Sequence, residues 1–513
     1  MHSKVFSATP LGVQARLVEV EVDVSFGLVN FFIVGLPDTG IKESSKRIGT
    51  ALKNSGIRLP AKRITVNLAP ADVKKEGSLF DLPIAIGVLI ASGQLDVEKD
   101  FLDETLFVGE LSLDGSVRFV KGALAIAFDT KKLGKKRLVV PQANAQEAAL
   151  INDIEVIGIE HITDVIAWIR KERVLEPTPH SFNVGLTQYD PAHDFAQVKG
   201  QHQAKRALQI AAAGRHNILF VGPPGSGKTM LAQRLPSIMP PMNFEEVLET
   251  SKIYSITGQL GNKPLITARP FRNPHHSTSQ AALIGGGTYP QPGEISLSHN
   301  GILFLDELTE FKRDTLEALR QPLENKTVSI ARVHQTIDLP AAFILVAALN
   351  PCPCGYLGDK NKTCSCSRLQ IDKYLSKLSG PLLDRIDLQI PVQALEYTTI
   401  KGENKESETS AAMRARVQAA IIIQNNRFNS AIKYNNSMSS DEVEKYCILS
   451  ENAEKIVKLI FEKLKLSMRG YHKLLKVART IADLDASDII TEAHVQEAIM
   501  YRSLDQYLEQ HKV

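Results

Sequence analysis

The sequence predicts an α/β protein with three successive regions: a mixed α/β region, a core of alternating helices and buried strands, and a helical C-terminal region. In the first region, residues 18–24 alternate apolar and polar side chains with period two, which is typical of a half-buried strand. In the middle region, apolar strand-type runs alternate with helix-compatible segments, as in a parallel sheet. Beyond residue 396 those runs stop, and apolar residues recur at helical spacing.

Length, charge and apolar patterning limit the classes of protein that this chain can be. Its 513 residues allow roughly three domains. The net charge of +3 means that any contact with nucleic acid must come from local basic patches. The N-terminus lacks the apolar segment of a secretory signal, and the longest apolar stretch, residues 82–91, is too short to span a bilayer. We therefore expect a cytoplasmic protein with no membrane segment.

The first region, residues 1–172, is predicted to fold as an α/β domain of its own. Strands are predicted at 18–24, 31–34, 64–68 and on both sides of an Asp-Gly turn within 106–117, and helices at 41–55, 143–149 and 162–171. Residues 173–193 lose the apolar periodicity and contain three prolines, which indicates a linker.

The remaining chain divides at about residue 395. Residues 194–395 are predicted to form the alternating α/β core. Residues 396–513 are predicted to form a helical domain, with helices at 407–426, 451–464, 469–484 and 491–507.

A glycine-rich turn follows the apolar residues 217–221 and precedes a helix-compatible segment. Its residues are Gly222, Pro223, Pro224, Gly225, Ser226, Gly227, Lys228 and Thr229. They match G-x-x-x-x-G-K-[ST], in which backbone N–H groups cradle phosphates, the lysine reaches the β- and γ-phosphates and the hydroxyl binds Mg²⁺. Because strand, turn and helix occur in the required order, a chance glycine-rich turn is the poorer interpretation. We predict binding of ATP with Mg²⁺.

Two further apolar strands end in polar residues that fit the same chemistry. Residues 302–305 lead into Asp306 and Glu307. Asp306 would hold the Mg²⁺ shell, and Glu307 would activate the attacking water. Residues 343–349 lead into Asn350, whose amide could position that water and sense the γ-phosphate. A surface Asp-Glu pair and an ordinary turn residue are the alternatives, which the phosphate-binding turn makes less favourable.

Several residues elsewhere in the chain are candidates for completing a nucleotide site. Arg385, just before a predicted strand, can act as an arginine finger; the alternative is an ion pair with Asp384 or Asp387. Arg469 opens a predicted helix and could reach a γ-phosphate, with Arg479 as its rival. Residues 198–201 are suited to flank the adenine.

Four of the five cysteines, Cys352, Cys354, Cys364 and Cys366, lie within fifteen residues. Such a cluster in a reducing compartment favours a structural Zn²⁺ site over a disulfide framework. The C-x-C spacing departs from the usual C-x₂-C, so free thiols on a loop remain the alternative. Cys447 is isolated and is interpreted as a packing residue.

Taken together, these motifs resemble AAA+ ATPases. The stretches 269–279, 283–287, 292–297 and 477–484 are similar to the magnesium-chelatase-like branch, and within it nearly the whole chain resembles the ComM/YifB family. The resemblance implies a homohexameric ring that moves along DNA and branch migration of recombination intermediates during natural transformation. In such a ring Arg385 would act in trans on the neighbour's ATP, and Arg469 would act in cis.

The resemblance also implies two DNA-facing insertions. One is the region from about 269 to 298, with Arg272, His275 and His276 as candidates. The other is a hairpin at about 326–339 that carries Lys326, Arg332 and His334. Cations there would contact the phosphates of single-stranded, duplex or branched DNA without reading sequence. The alternative for each is a solvated surface charge. We discount a metal site at the two adjacent histidines, since no acidic partner lies at helical spacing.

The N-terminal region resembles the Lon-type protease domain, which uses a Ser-Lys dyad. The motif places the serine within residues 79–81 and the lysine near Leu124, and neither residue type is present there. Ser78 and Lys121 are close in sequence but do not occupy the motif positions. We therefore predict a non-proteolytic domain that serves DNA contact or ring assembly, in which the basic run 131–137 could take part.

We therefore predict an ATP-dependent hexameric DNA motor. The alternatives are the motor subunit of a metal chelatase, an ATP-dependent protein remodeller or Lon-like protease, and a passive DNA-binding scaffold. The missing dyad argues against proteolysis, and the complete ATPase motifs argue against a passive scaffold.

Overall fold

In the computed structural model, the chain is described over residues 2–72, 75, 77–180, 190–260, 265–287, 291–332, 335–359, 362–394, 408–463 and 465–502. It forms two compact units. The first combines Met1–Gly185 with Phe244–Ile266, and the second combines Leu186–Asn243 with Thr267–Val513. The mixed α/β fold with a parallel core sheet and a helical C-terminal part confirms the predicted fold class.

The first unit is built on a seven-stranded sheet with strand order β3-β4-β2-β1-β5-β8-β9. The strands are β1 (His2–Leu11), β2 (Gln14–Ser25), β3 (Asn30–Val34), β4 (Arg63–Ala69), β5 (Thr105–Phe107), β8 (Arg137–Pro141) and β9 (Glu155–Ile159), with a separate hairpin of β6 (Glu110–Leu111) and β7 (Val117–Arg118). The helices of its first segment are α1 (Thr39–Asn54), α2 (Asp81–Ala91), α3 (Lys99–Asp103), α4 (Ala123–Thr130), α5 (Gln142–Ala148) and α6 (Ile162–Ile169).

The strands and helices predicted for this region are confirmed. Val18, Val20, Val22 and Val24 are all buried on one face of β2, as the period-two alternation requires. The predicted turn at 114–115 separates β6 from β7, which pair antiparallel.

An additional helix, α9 (Phe244–Thr257), belongs to the first unit although it lies within the predicted 194–395 core. The Ser255 hydroxyl donates to Glu147 of α5 (3.2 Å), and the Lys252 ammonium lies over the Phe128 ring of α4, 2.9 Å from its centroid. In the second unit, Arg269 donates to the Pro240 carbonyl (2.7 Å), next to where the chain leaves that unit. Residues 244–266, which carry α9, therefore form an excursion: the chain leaves the second unit, adds a helix to the first unit and returns, and the two ends of this segment are held together in the second unit.

Glu147 gives the docking of α9 a predicted pH dependence. Its carboxyl is buried, which raises its pKa to about 7, although hydrogen bonds from Asn144 and Ser255 act in the opposite direction. A carboxyl with a raised folded-state pKa stabilises the fold below its unfolded pKa, and this contribution is lost as the pH rises to the folded value. We expect Glu147→Gln to stabilise the first unit by about 1–3 kcal/mol at pH 8.

The difference should be measured as amide exchange of α5 and α9 at pH 5 and pH 8, corrected for the intrinsic rate. Parent and variant should be nearly alike at pH 5, and the variant should exchange more slowly at pH 8. Glu245→Gln, on the exposed face of α9, is the matched control. Equal protection of parent and Glu147→Gln at pH 8 would contradict the prediction.

The second unit is built on a five-stranded parallel sheet with strand order β11-β14-β17-β10-β18. Its strands are β10 (Ile218–Val221), β11 (Phe271–Arg272), β14 (Ile302–Leu305), β17 (Ile344–Leu349) and β18 (Leu388–Pro391), and two small ribbons pair β12 (Gly285–Gly286) with β13 (Gln291–Pro292) and β15 (Thr327–Arg332) with β16 (Gln335–Pro340). The helices around the sheet are α7 (His202–Gly214), α8 (Lys228–Ile238), α10 (Gln280–Ile284), α11 (Glu294–Leu297), α12 (Arg313–Glu317), α13 (Arg320–Asn325), α14 (Arg368–Leu375) and α15 (Gly380–Leu383).

The C-terminal helices complete the same unit. They are α16 (Ser410–Phe428), α17 (Ser440–Tyr446), α18 (Glu451–Lys463), α19 (Met468–Leu484) and α20 (Glu492–Met500). Buried side chains of α16 and α19 form one continuous hydrophobic core with those of α7, α8 and the sheet. The boundary predicted at 395/396 therefore separates a sheet from helices, and both share one core.

The register of the parallel strands determines where the site lies. Val221 of β10 pairs with Leu349 of β17, and Leu305 of β14 pairs with Ala347. The residues that follow these strands therefore emerge along a single edge of the sheet. Among the helices of the described residues, none has both the length and the apolar character needed to cross a membrane.

Candidate functional site

The glycine-rich turn has the backbone conformation that phosphate binding requires. Gly225 and Gly227 have φ values of +77° and +91°, which side chains other than glycine rarely tolerate. A Cβ at Gly222 would lie 2.0 Å from the Val392 carbonyl oxygen. The Ser226 hydroxyl is buried and has no hydrogen-bond partner among the described residues. These features leave a cradle of backbone N–H groups that suits a polyphosphate.

Lys228, the first residue of α8, points back over this turn. Its ammonium donates to the carbonyls of Gly222 (2.7 Å) and Pro223 (2.9 Å) and to Asn350 Oδ1 (3.1 Å). Burial lowers the pKa of Lys228, against the opposing effect of Asp306 and Glu307. A largely dehydrated cation that is held by neutral oxygens gains strongly from an incoming phosphate.

The predicted magnesium ligands are adjacent. The Thr229 hydroxyl donates to Asp306 Oδ2 (2.7 Å), just beyond the end of β14. The residues fit an Mg²⁺ site, since a hydroxyl and a carboxylate are oxygen ligands that Mg²⁺ shares with substrate phosphates. Thr229 and Asp306 would hold this ion, which would neutralise charge on the phosphates.

Glu307 is exposed at the same edge of the sheet, in a left-handed conformation with φ of +50°. A histidine that was predicted to face DNA, His276, places its Nδ1 3.5 Å from Glu307 Oε2. No sequence spacing connects these two residues; they meet because β11, which precedes His276, pairs with β14. His276 is thus a member of the site that sequence reasoning placed elsewhere.

Gln201 lies against the phosphate-binding turn from the other side. Its Nε2 donates to the Gln393 carbonyl (2.9 Å) and contacts the Ser226 carbonyl (3.4 Å). The segment that was predicted to flank the adenine is therefore beside the turn, and its contact with adenine stays a prediction.

The two candidate arginines lie together, away from this turn. Arg385 pairs with Glu324 of α13 (2.7 Å) rather than with Asp384 or Asp387, and Arg469 pairs with the other oxygen of the same carboxylate. The rival Arg479 is buried and bonded to Asp483 and to two carbonyls, so it is structural. The structure thus places Arg469 beside Arg385 instead of beside Lys228, where a cis role would require it.

The position of Arg385 along the sheet is fixed by Asn217, which precedes β10. Asn217 Nδ2 donates to the Arg385 carbonyl (2.9 Å), and its own carbonyl accepts from the N–H groups of Asp387 and Leu388. Arg385 is therefore at the amino end of the strands, whereas Gly222 follows their carboxyl end. A strand rise of about 3.3 Å per residue separates these two edges by about 15 Å.

The four clustered cysteines converge. Their Sγ atoms all lie within 4.8 Å of one another, with separations of 3.3 Å (Cys352–Cys354), 3.6 Å (Cys352–Cys364) and 3.5 Å (Cys354–Cys364). The Cys354 N–H also donates to the Cys366 sulfur. Zn–S bonds of about 2.3 Å in a tetrahedron place sulfurs about 3.8 Å apart. The cluster therefore has the ligand number and spacing for a metal ion.

The candidate DNA contacts differ in their surroundings. Arg272 forms a two-pronged ion pair with Glu294 (2.6 and 2.8 Å), so its charge is already matched. The predicted hairpin is present as β15–β16, and Lys326 is exposed at its base. His334 and the side chain of Arg332 lie outside the described residues. The hairpin that the sequence predicts is thus present. The Arg272 side chain, in contrast, is already paired with Glu294, and its contact with DNA stays a prediction.

In the first unit, the serine and lysine nearest the protease motif have separate environments. The Ser78 hydroxyl donates to Glu110, and the aliphatic chain of Lys121 lies against Gly258. Leu124, at the motif's lysine position, is fully buried. These contacts are consistent with the expectation of a non-proteolytic domain, which stays a prediction.

A phosphate-binding turn, an acidic strand end and a polar strand end on one edge of a parallel sheet define a P-loop ATPase core. Family profiles match the same regions. The profile "Magnesium chelatase, subunit ChlI" matches residues 194–400, "Subunit ChlI of Mg-chelatase" matches 20–144, and "Magnesium chelatase, subunit ChlI C-terminal" matches 407–502.

Similar proteins extend over almost the entire chain. Competence protein ComM of Haemophilus influenzae is 45% identical over 508 residues, which cover 98% of each chain. YifB of Escherichia coli is 45% identical over 513 residues, covering 99% of this chain and 98% of YifB. A Mycobacterium tuberculosis protein is 39% identical over 483 residues, or 94% of each chain.

The chain belongs to the ComM/YifB family of magnesium-chelatase-like AAA+ ATPases. Membership implies ATPase activity with ATP and Mg²⁺, and it relates the chain to a competence protein. The roles of the individual site residues stay predictions.

Proposed function

We propose that this protein is an ATP-driven DNA motor that works as a homohexamer and drives branch migration of recombination intermediates, as in natural transformation. The observation that carries this proposal is the separation of the ATPase parts along the sheet. Lys228, Asp306 and Glu307 lie at its carboxyl edge, whereas Arg385 and Arg469 lie together near its amino edge. Each chain thus carries the phosphate-binding half of one ATP site and the arginine half of another.

A ring of identical chains would bring the two halves together. In such a ring, both arginines face the nucleotide of the neighbouring chain, so Arg469 acts in trans with Arg385. Their charge stabilises the transition state of phosphoryl transfer, while Glu307 directs the attacking water. Asn350 directly follows strand β17 and is hydrogen-bonded to Lys228. Through this bond, the loss of the γ-phosphate would change the position of the end of β17.

DNA is the proposed partner because Lys326 is exposed at the buried base of the β15–β16 hairpin, whose sequence also contains Arg332 and His334. Val328 and Leu339, which pair across the hairpin, are buried. Lys326 is exposed where the hairpin begins. Contacts of this kind neutralise phosphates without reading bases, so binding should weaken steeply as salt rises.

The deciding experiment is steady-state ATPase without DNA and with single-stranded, duplex and branched DNA, at two salt concentrations. We expect DNA to stimulate turnover, most at low salt, and Lys228→Ala to abolish it. Lys362→Ala, a cation on the cysteine loop, serves as the matched control. ATPase that responds to a partner protein and ignores every DNA would instead support a chelatase subunit or a protein remodeller.

The cysteine cluster is proposed to hold structural Zn²⁺ next to the ATPase site. Cys352 follows Asn350 by two residues, and a Cβ at Gly355 would lie 2.6 Å from Pro224 of the phosphate-binding turn. A metal that fixes this loop would therefore also support both Asn350 and the turn.

Protein purified without chelator should contain about one zinc per chain, and Cys354→Ser should contain well under one. Cys447→Ala is the matched control, because this fifth cysteine is buried among the C-terminal helices. Elemental analysis together with chain concentration measures the ratio. Equal zinc in Cys354→Ser and the parent would refute the site.

A further inference from the structure

Glu324, on α13, is the residue on which both candidate arginines converge. One of its carboxylate oxygens lies 2.7 Å from Arg385 Nη2, and the other contacts Arg469 Nη2. A single acid thus bridges a residue just before β18 and a residue in the first turn of α19. None of the sequence motifs includes this acid.

The arginine cluster needs such an acid because its charges repel one another. Burial lowers the pKa of Arg385, and the nearby Arg320 lowers it further. Arg385 also donates from Nε and Nη1 to the carbonyls of Arg320 and Pro381, which leaves two of its five N–H groups for a phosphate. Glu324 offsets the repulsion between guanidinium groups and fixes their mutual geometry, since carboxylate–guanidinium bonds are charge-assisted and directional.

The two arginines are not equally open. The Arg385 side chain is 8% exposed, whereas the Arg469 side chain is 46% exposed. Arg385 is thus held from several sides, whereas Arg469 is held by its ion pair with Glu324. Without the carboxylate, the Arg469 side chain would sample several rotamers and would have to be ordered at each turnover.

We propose that Glu324 is a positioning residue that holds Arg385 and Arg469 as one preorganised pair for the neighbouring chain's ATP. It acts through the arginines and contacts no nucleotide of its own chain. Donors that are already oriented require no reorganisation when charge develops in the transition state. The proposal rests on the proposed function, because it requires arginines that act between chains.

The test uses the full chain with Glu324→Gln, which keeps the shape of the side chain and removes its charge. We expect kcat to fall about tenfold or more, with KM for ATP within about twofold of the parent, because Lys228 and its turn are untouched. Asp314→Asn is the matched control, since Asp314 is an exposed acid on the preceding helix α12. A rise in KM with unchanged kcat would overturn the proposal.

Mixing experiments distinguish positioning from a fold defect. Lys228→Ala chains lack their own ATP site but present intact arginines, and Glu324→Gln chains have the reverse defect. Mixed assemblies should turn over ATP faster than the sum of the two separate variants. No gain on mixing would overturn the proposal.

Arg469→Gln provides a second variant. Combined with Glu324→Gln, it should lower kcat little beyond Arg469→Gln alone, because Arg385 keeps its contacts with the carbonyls of Arg320 and Pro381 and Glu324 then has no second arginine to position. Additive losses would overturn the proposal.

Lys228→Ala and Glu324→Gln test the ATPase assignment and the positioning role of Glu324 separately. If Lys228→Ala keeps parental turnover, the ATPase assignment itself is wrong. If Lys228→Ala is inactive while Glu324→Gln has parental kcat, only the role of Glu324 is wrong.

Discussion

A Glu307→Gln chain should bind ATP with nearly parental affinity and hydrolyse it about 10³-fold more slowly. The phosphate cradle and Lys228 do not depend on the carboxylate, since Lys228 bonds to Gly222, Pro223 and Asn350. Gln cannot accept the proton of the attacking water, so the chemical step loses its base. The side chain is exposed, and its removal should therefore leave the fold intact.

Glu310→Gln is the control for this substitution, because Glu310 lies three residues further on and has Lys377 as its ionic neighbour (4.0 Å). Equilibrium binding of a fluorescent ATP analogue and steady-state phosphate release measure the two effects separately. Parental turnover in Glu307→Gln would remove Glu307 from the catalytic role.

The second large effect is expected for Asp483→Asn, which should destabilise the C-terminal helices by about 3–5 kcal/mol. Asp483 is buried on α19 and accepts from Arg427, Arg479 and Asn435, with the Asn435 contact at 2.7 Å. Removing its charge leaves the buried Arg479 and the half-buried Arg427 without their counterion. The Arg479 guanidinium would then be an unpaired charge in a low-dielectric interior. Leaving one charge of a buried pair without its partner costs more free energy than the intact pair contributes.

Urea titration followed by amide exchange in α16 and α19 is the appropriate measurement, because the chain has two units and a single transition cannot be assumed. Asp441→Asn, at an exposed position of α17, should change protection by less than about 1 kcal/mol. Unchanged protection in Asp483→Asn would show that the buried network contributes little.

Local patterns predicted the ATPase edge well. The turn from Gly222 to Thr229, the acids after β14 and the amide after β17 each follow a buried strand directly. Parallel pairing alone then brings these strand ends to one edge of the sheet, so no knowledge of the remaining tertiary structure is needed to group them. The cysteine cluster was likewise predictable, because its four members are close in sequence and loop closure is short.

Sequence reasoning could not place residues whose partners are distant in the chain. The sequence predicts Arg469 at the chain's own γ-phosphate, but its partner Glu324 lies on another helix, 145 residues earlier in the chain. His276 contacts Glu307 only because short β11 pairs with β14. In both cases the deciding contact depends on the tertiary arrangement, which neither spacing nor periodicity encodes.

The excursion that carries α9 has a consequence for dissecting the protein. Because α9 folds with the first unit, the chain crosses between units at the linker and again on each side of this helix. Cleavage within the linker would leave the first unit noncovalently assembled with a helix that the other fragment still carries. A truncated chain that begins after the linker would retain α9 without its partners α4 and α5, and would expose apolar residues such as Val247 and Ile253. The ATPase core is therefore not a separable module, and fragments designed at the linker would test an incomplete protein.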